Sequence, residues 1–252
     1  MRILTLARDL RRRKSRERQS LFVVEGVRAV EELLKSPLSI QGVLSAPQLA
    51  GAPRGQALLE MIASSRIEHA VVKEAEFRSA AETESPQGVL AIAEMPDRSL
   101  DSVARSSHLR ILVLDAVQDP GNVGTILRTA AALDVDATVA LPGTVDLWNA
   151  KVVRSAMGAH FRHLAFHTRP EGLFAFLDAE SIPLWGAEPS GDAVDSVTPP
   201  ERLAIAVGNE GGGLSSSVRE RASATVSLPI ASTVESLNVA VATGILLYQL
   251  RK

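Results

Sequence analysis

Cysteine is absent from this 252-residue chain, which excludes disulfides, thiolate nucleophiles and cysteine-ligated zinc. Aromatic residues are scarce, at 4%, in a composition otherwise ordinary for a globular protein. No apolar run approaches the length needed to cross a bilayer, and the basic N-terminus lacks the apolar core of an export signal. No membrane partner is expected, and cytoplasm is the expected compartment. His160, His163 and His167 recur at spacings of three and four, but without cysteine or an obvious carboxylate partner they read as ordinary core or surface histidines, so no metal is expected.

What is present is charge asymmetry. Residues 1–18 hold eight basic side chains against Asp9 and Glu17, a local charge of +6, leaving −8 for the remainder of a chain whose total is −2. A basic block on a mildly acidic protein suits contact with a polyanion, and a solvated helix face is the alternative. Arg11, Arg12, Arg13 and Lys14 are its densest part and the candidate RNA contacts.

Hydrophobic patterning divides the chain near residue 100. Residues 1–96 alternate short apolar runs (22–26, 40–44, 70–72 and 89–93) with helical periodicity over 27–36, 56–63 and 74–81, a compact α/β unit. Residues 97–108 are polar and suit a linker. Residues 109–252 open on Leu109–Leu114, a continuous apolar strand of the buried parallel type. Further strand-like runs at 137–141, 164–166, 183–186, 203–207 and 224–228, mostly with helices between them, predict a parallel sheet with helices on both faces.

Three segments of this second unit carry candidate chemistry. In the first, Asp119-Pro120 is a helix start, and Val123, Ile126, Leu127, Ala130 and Ala131 form an apolar stripe. Asn122 stands at the helix mouth. Arg128, flanked in sequence by stripe residues, is expected to be partly buried, bound either to an anion or to Asp115 or Asp134. In the second, the strand Leu203–Val207 runs into Gly208-Asn209-Glu210-Gly-Gly-Gly-Leu214, either a plain tight turn or a ligand-facing one. It contains neither a phosphate-binding Walker sequence nor G-x-G-x-x-G, which argues against a nucleotide-dependent enzyme. In the third, Leu228-Pro229 ends a strand, and Ser236 and Asn238 flank Leu237 at the start of an apolar helix. One helix cap needs only one such residue. Val241, Ile245 and Tyr248 are expected to form the inner face of that helix.

Taken together, the segments resemble the SpoU (TrmH-like) family of RNA ribose 2′-O-methyltransferases. The N-x-G-x-x-x-R motif stands as Asn122 to Arg128, G-N-E-G-x-G-L as Gly208 to Leu214, and the third motif as Leu228-Pro229 through Ser236-Leu237-Asn238. The third motif departs from the usual Ile-Pro-Met, and Ser232 stands where a glycine is usual. Phe22-Val-Val-Glu-Gly-Val-Arg28 and Ser85-Pro-Gln-Gly-Val-Leu-Ala91 resemble the family's substrate-binding domain, a small α/β/α domain similar to ribosomal-protein folds.

The resemblance implies a deep trefoil knot in the C-terminal domain, S-adenosyl-L-methionine as cosubstrate and a homodimer. It implies cofactor contacts at Gly208, Asn209, Leu228, Pro229 and Leu237. A polar catalytic set follows at Asn122, Arg128, Glu210, Ser236 and Asn238, with Arg128 promoting deprotonation of the ribose hydroxyl. Structured RNA is the implied substrate, 23S ribosomal RNA ahead of tRNA because of the separate N-terminal domain. A non-catalytic RNA-binding or assembly factor is the alternative from another class.

Overall fold

The computed structural model describes residues 2–251, which divide into two compact units: residues 2–97 with 148–162, and residues 98–147 with 163–251. In the first, α1 (Arg2–Asp9) and α2 (Arg13–Gln19) precede β1 (Leu21–Glu25), α3 (Val27–Leu34), β2 (Ile40–Ser45), α4 (Pro53–Ser64), β3 (His69–Val71), α5 (Glu74–Ala80) and β4 (Val89–Glu94). The sheet order is β1-β4-β2-β3; β4 runs antiparallel to both neighbours, and β2 pairs with β3 in parallel. Ile3, Leu4, Ala7 and Leu10 of the N-terminal segment pack on Leu44, Phe77 and Ile92. Arg16 is buried at 4% exposure, its guanidinium donating to the carbonyls of Leu10 and Arg11 at 2.9 Å. One arginine of the basic block is therefore a structural clasp, consistent with the rule that buried charge must be hydrogen-bonded.

The second unit is built on β5 (Leu109–Leu114), α6 (Pro120–Ala132), β6 (Ala137–Ala140), β7 (Ala165–His167), α8 (Pro170–Ala179), β8 (Leu184–Ala193), β9 (Arg202–Val207), α9 (Ser216–Arg221), β10 (Ala224–Ser227) and α10 (Val239–Leu250). Its six strands lie in the order β10-β8-β9-β5-β6-β7, and every pairing is parallel. All six residues of β5 are buried, as the central position between β9 and β6 demands. Strand β8 continues past the expected end at Gly186. Its pairing with β10 jumps from Gly186 to Asp192, so residues 187–191 bulge out, and Glu188 within the bulge pairs with Arg219 at 2.7 Å.

Between β6 and β7 the chain makes an excursion. Residues 148–162, expected to lie within the second domain, pack with the first unit and carry α7 (Ala150–Ser155). Their anchor is aromatic. Trp148 lies 4.3 Å from Phe22 and 4.1 Å from His160, centroid to centroid, and Phe161 lies 6.2 Å from Phe22. Gly158, at φ 88°, sits so close to Glu32 that a β-carbon would come within 2.5 Å of that residue's Cβ. Only glycine fits this approach.

Candidate active site

Parallel strands deliver the three candidate segments to one edge of the sheet. Leu114 ends β5 beside Val207, the last residue of the adjacent β9, and the Asp115 amide continues the ladder to the Val207 carbonyl at 2.9 Å. The segments 115–122 and 208–214 thus leave the carboxyl ends of neighbouring strands, where open α/β sheets place ligands. Strand β10 runs the same way and delivers Leu228 and Pro229.

The first segment folds as its capping residues dictate. Asp119 is the N-cap of α6, its carboxylate accepting from the Asn122 amide at 2.8 Å, and Pro120 occupies the first turn. The second is an ordered turn organised by Asn209. Its Oδ1 accepts from the amides of Gly211 and Gly212 at 3.0 and 2.8 Å, and its Nδ2 donates to the Ala116 carbonyl at 2.9 Å. Gly208 is held by this closure: a β-carbon there would come within 2.2 Å of the Gly213 carbonyl carbon. In the third, Asn238 caps α10, its Oδ1 accepting from the amides of Ala240 and Val241 at 2.9 and 3.3 Å. Ser232 takes no positive φ, so the turn there makes no demand for glycine.

These three segments meet in a chain of side-chain hydrogen bonds. Asn238 Nδ2 donates to Asn122 Oδ1 at 3.0 Å, and Asn122 Nδ2 donates to Glu210 Oε1 at 3.0 Å. The Glu210 carboxylate also accepts from the amides of Gln118 and Asp119 at 3.4 Å. Desolvation pushes the Glu210 carboxyl up. The Asn122 hydrogen bond, with the backbone amides of Glu210 itself, Gln118 and Asp119, outweighs that and holds it below the usual glutamate value. Glu210 is thus an ionised acceptor at neutral pH, and its charge fixes which way the Asn122 amide points.

Ser236 and Arg128 stand outside this chain. Both are exposed, and neither side chain has a hydrogen bond or ion pair among the described residues. The expected partial burial of Arg128 is therefore corrected. The inward stripe is Val123, Ile126, Leu127 and Ala130. Neighbours in sequence lie 100° apart around a helix, so Arg128 turns outward with Thr125. Asp115, one of its expected ion-pair partners, instead accepts from the Ser215 amide at 2.6 Å.

The inner face expected for α10 is corrected as well. Val241, Ile245 and Tyr248 are 53%, 40% and 50% exposed, whereas Ala240, Thr243, Leu246, Leu247 and Leu250 are buried. The helix is apolar around most of its circumference, so spacings of four and three fit either side. The buried side is the one that packs on α6, where Gly244 faces Thr129.

Beside Asn238, an apolar cleft of about 280 Å³ is lined by Leu228, Pro229, Ile230, Leu237, Ile245 and Val194, with Asp195 and Gln249 at its polar edge. Three of the five expected cofactor contacts, Leu228, Pro229 and Leu237, line this cleft. Gly208 and Asn209 do not; they shape the neighbouring turn. An aliphatic slot edged by one carboxylate and one carboxamide suits a molecule that joins a flat aromatic base and a hydroxylated sugar to a cationic sulfonium, and S-adenosylmethionine fits that description. Sequence reasoning missed Val194, Asp195 and Gln249, which belong to no motif and reach the cleft only through tertiary folding.

The basic block is exposed at Arg11, Arg12, Arg13 and Lys14. Arg13 pairs with Glu17 at 2.6 Å, and Arg11 donates to the Ser79 carbonyl at 3.4 Å. Of the three clustered histidines, His160 lies in the aromatic cluster of the first unit. His163 is buried in the second, bonded to Thr138 Oγ1 at 2.7 Å, and His167 is exposed.

Comparison with known proteins places the geometry in a family. Residues 109–248 match the SpoU rRNA Methylase family, and residues 4–91 match an MRM3-like substrate binding domain. The chain is 35% identical over 245 residues to the 23S rRNA (guanosine(2553)-2′-O)-methyltransferase RlmP of Bacillus subtilis, covering 97% of this chain and 94% of that protein. It is 28% identical to the 23S rRNA (uridine(2479)-2′-O)-methyltransferase of Streptomyces viridochromogenes, over 94% of this chain and 84% of the relative. Among solved structures, the SpoU methyltransferase AviRb from Streptomyces viridochromogenes, in complex with the cofactor AdoMet, superposes with a TM-score of 0.89 at 27% identity, over 99% of this chain and 96% of that one. With its strand order, its motif-bearing edge and its relatives in agreement, the chain belongs to the SpoU rRNA methylase family.

Proposed function

We propose that this protein methylates a ribose 2′-hydroxyl of 23S ribosomal RNA, with S-adenosylmethionine as methyl donor. The observation that carries the reading is the hydrogen-bonded chain Asn238–Asn122–Glu210, one residue removed from Leu237 in the wall of the apolar cleft. Relatives matching nearly the full length act on 23S rRNA, which favours ribosomal RNA over tRNA and an enzyme over a passive assembly factor.

S-adenosylmethionine, when bound, supplies an electrophilic methyl group on a sulfonium. Leu228, Pro229 and Leu237 would hold it against the apolar wall of the cleft, beside the turn Gly208–Leu214. Asn122 and Asn238, oriented by ionised Glu210, offer fixed amides that position the ribose, and positioning is a major part of the rate for a transfer requiring in-line approach. A guanidinium stays protonated at any working pH. Arg128, free of partners on the same helix as Asn122 and about 9 Å further along it, therefore acts as a cation, binding phosphate or ribose and stabilising the alkoxide as the 2′-hydroxyl loses its proton. Ser236, equally free, supplies a further hydrogen-bonding hydroxyl.

The exposed residues Val241, Ile245 and Tyr248 give α10 an apolar outer face suited to a second copy of the chain, and we read the working form as a homodimer. Arg11, Arg12, Arg13 and Lys14 contact RNA phosphates, and the cytoplasm, where ribosomal RNA is found, is the site of action.

The test is to incubate the protein with methyl-labelled S-adenosylmethionine and deproteinised 23S rRNA or tRNA, then map the product. A single methylated ribose in 23S rRNA is expected. Label only in tRNA removes the substrate assignment, label on a base removes the chemistry, and no transfer to either removes the enzyme.

A further inference from the structure

The basic segment folds into something more specific than a charged tail. Helices α1 and α2 and the ends of β1 and β2 enclose a groove of about 730 Å³ in the first unit. Arg2, Arg8 and Arg12 line it, with Leu6 and Leu21 on its walls and Gln41 at one end. The guanidinium groups of Arg2 and Arg12 have no hydrogen bond or ion pair among the described residues, and Arg8 spends only Nε, on Ser79 Oγ at 2.8 Å. Asp9 is the one acid in the lining, and it is occupied by Gln19 at 3.0 Å and Arg18 at 3.4 Å. Three arginines against one engaged carboxylate leave the groove at +2.

We propose that this groove binds the phosphate backbone of a single-stranded segment of the RNA substrate. Its volume is that of a small-molecule pocket, room for one or two nucleotides. It presents forked donors suited to phosphate oxygens and no aromatic ring for base stacking, so it grips the backbone rather than reading sequence. The two leucines accept the apolar edges of sugars. The assignment keeps Arg12 from the densest part of the basic block, adds Arg2 and Arg8 from the preceding helix, and excludes Arg16, which is consumed by the fold.

The inference rests on the RNA-methyltransferase reading in one respect, that RNA is bound. The experiment measures binding of a fluorescent unstructured oligoribonucleotide, and of deproteinised 23S rRNA, against salt concentration. Each phosphate contact with a single strand contributes about 0.7 to the slope of log affinity against log salt. Combined Arg2→Ala, Arg8→Ala and Arg12→Ala should lower that slope by about 2 and weaken binding roughly tenfold or more. The corresponding three lysine substitutions should keep the slope. Removing three exposed basic groups elsewhere on this unit (Lys35→Ala, Arg66→Ala, Arg78→Ala) should leave slope and affinity near wild type. A folded alanine variant with the wild-type slope overturns the groove, as does an equal loss in the Lys35, Arg66, Arg78 control. If the triple variant does not fold, Arg12→Glu alone must still lower the slope by about 0.7, one phosphate contact, or the groove is overturned. A wild-type protein that binds no RNA removes the functional reading itself, while wild-type binding and methylation with an unmoved groove variant removes the groove alone.

Discussion

Asn238 hands its side-chain amide to Asn122 across 116 positions of sequence, at 3.0 Å, while its carbonyl oxygen caps α10. One side chain thereby ties the helix start of the third motif to that of the first. The two duties are separable. Asn238→Asp keeps an oxygen for the cap but puts a carboxylate against Asn122 Oδ1, whose own amide is committed to Glu210. Melting temperature should stay near wild type while methyl transfer falls by roughly 10- to 100-fold. Asn238→Ala should lose both, with a stability cost of about 1 kcal/mol for the missing cap. Denaturant unfolding set beside a transfer assay checks the pair, and equal activity of Asn238→Asp and wild type would remove the positioning role.

Arg128 offers the opposite case, a site residue on which the fold does not depend. Because its guanidinium has no partner, Arg128→Ala should leave unfolding and the calorimetric affinity for S-adenosylmethionine unchanged. Methyl transfer should fall by about two orders of magnitude or more. Lysine at this position restores charge without the planar fork, so Arg128→Lys should recover only part of the rate. A variant that turns over normally contradicts the assignment.

His163 sets a pH limit on the second unit. Burial, reinforced by the nearby Arg98 charge, pulls its pKa from 6.5 down to about 4. The folded state then binds fewer protons than the unfolded chain between those values, so stability is full above pH 6.5 and is lost as pH falls toward 4. The loss is on the order of 3 kcal/mol. Replacing the group, as in His163→Gln, should flatten that part of the stability–pH curve in urea titrations, and an unchanged slope would show that other groups govern it.

The outer face of α10 predicts an association constant. Tyr248→Lys or Val241→Lys places charge on an apolar surface exposed in the single chain and outside the cofactor cleft, so neither should disturb the fold. In sedimentation, both should shift the protein from dimer to monomer and lower transfer activity with it. A monomeric wild type, or dimers untouched by both substitutions, rules out this face as the contact.

Much of this was readable beforehand, for physical reasons that also explain the failures. Apart from β8, whose bulged extension to Ala193 carries no apolar signal, the strands are legible to within a residue because Leu109–Leu114 and its neighbours are short apolar runs closed by polar turns, a purely local signal. Asn122, Glu210 and Asn238 could be singled out because each breaks local economy, as a surplus cap or a charge among glycines. Their contact rests on strand order, which no window of sequence contains. Arg128 neighbours stripe residues in sequence but not in space, because a helix turns 100° per residue. The direction of α10 was misread because a helix apolar on nearly all sides carries no amphipathic signal. Arg16 is hidden in a basic run, and its burial and its bonds to the Leu10 and Arg11 carbonyls, neither of them a local signal, set it apart from the exposed arginines beside it.

The aromatic trio Phe22, Trp148 and Phe161 bears on how such a gene can be cut and joined. A fragment ending at the apparent linker would carry Phe22 without the two rings that cover it, and the complementary fragment would carry those rings without their seat. The substrate-recognising half is thus not a cassette. Exchanging it between related enzymes would require residues 148–162 to travel with it, from a stretch of the gene some fifty codons beyond the obvious seam.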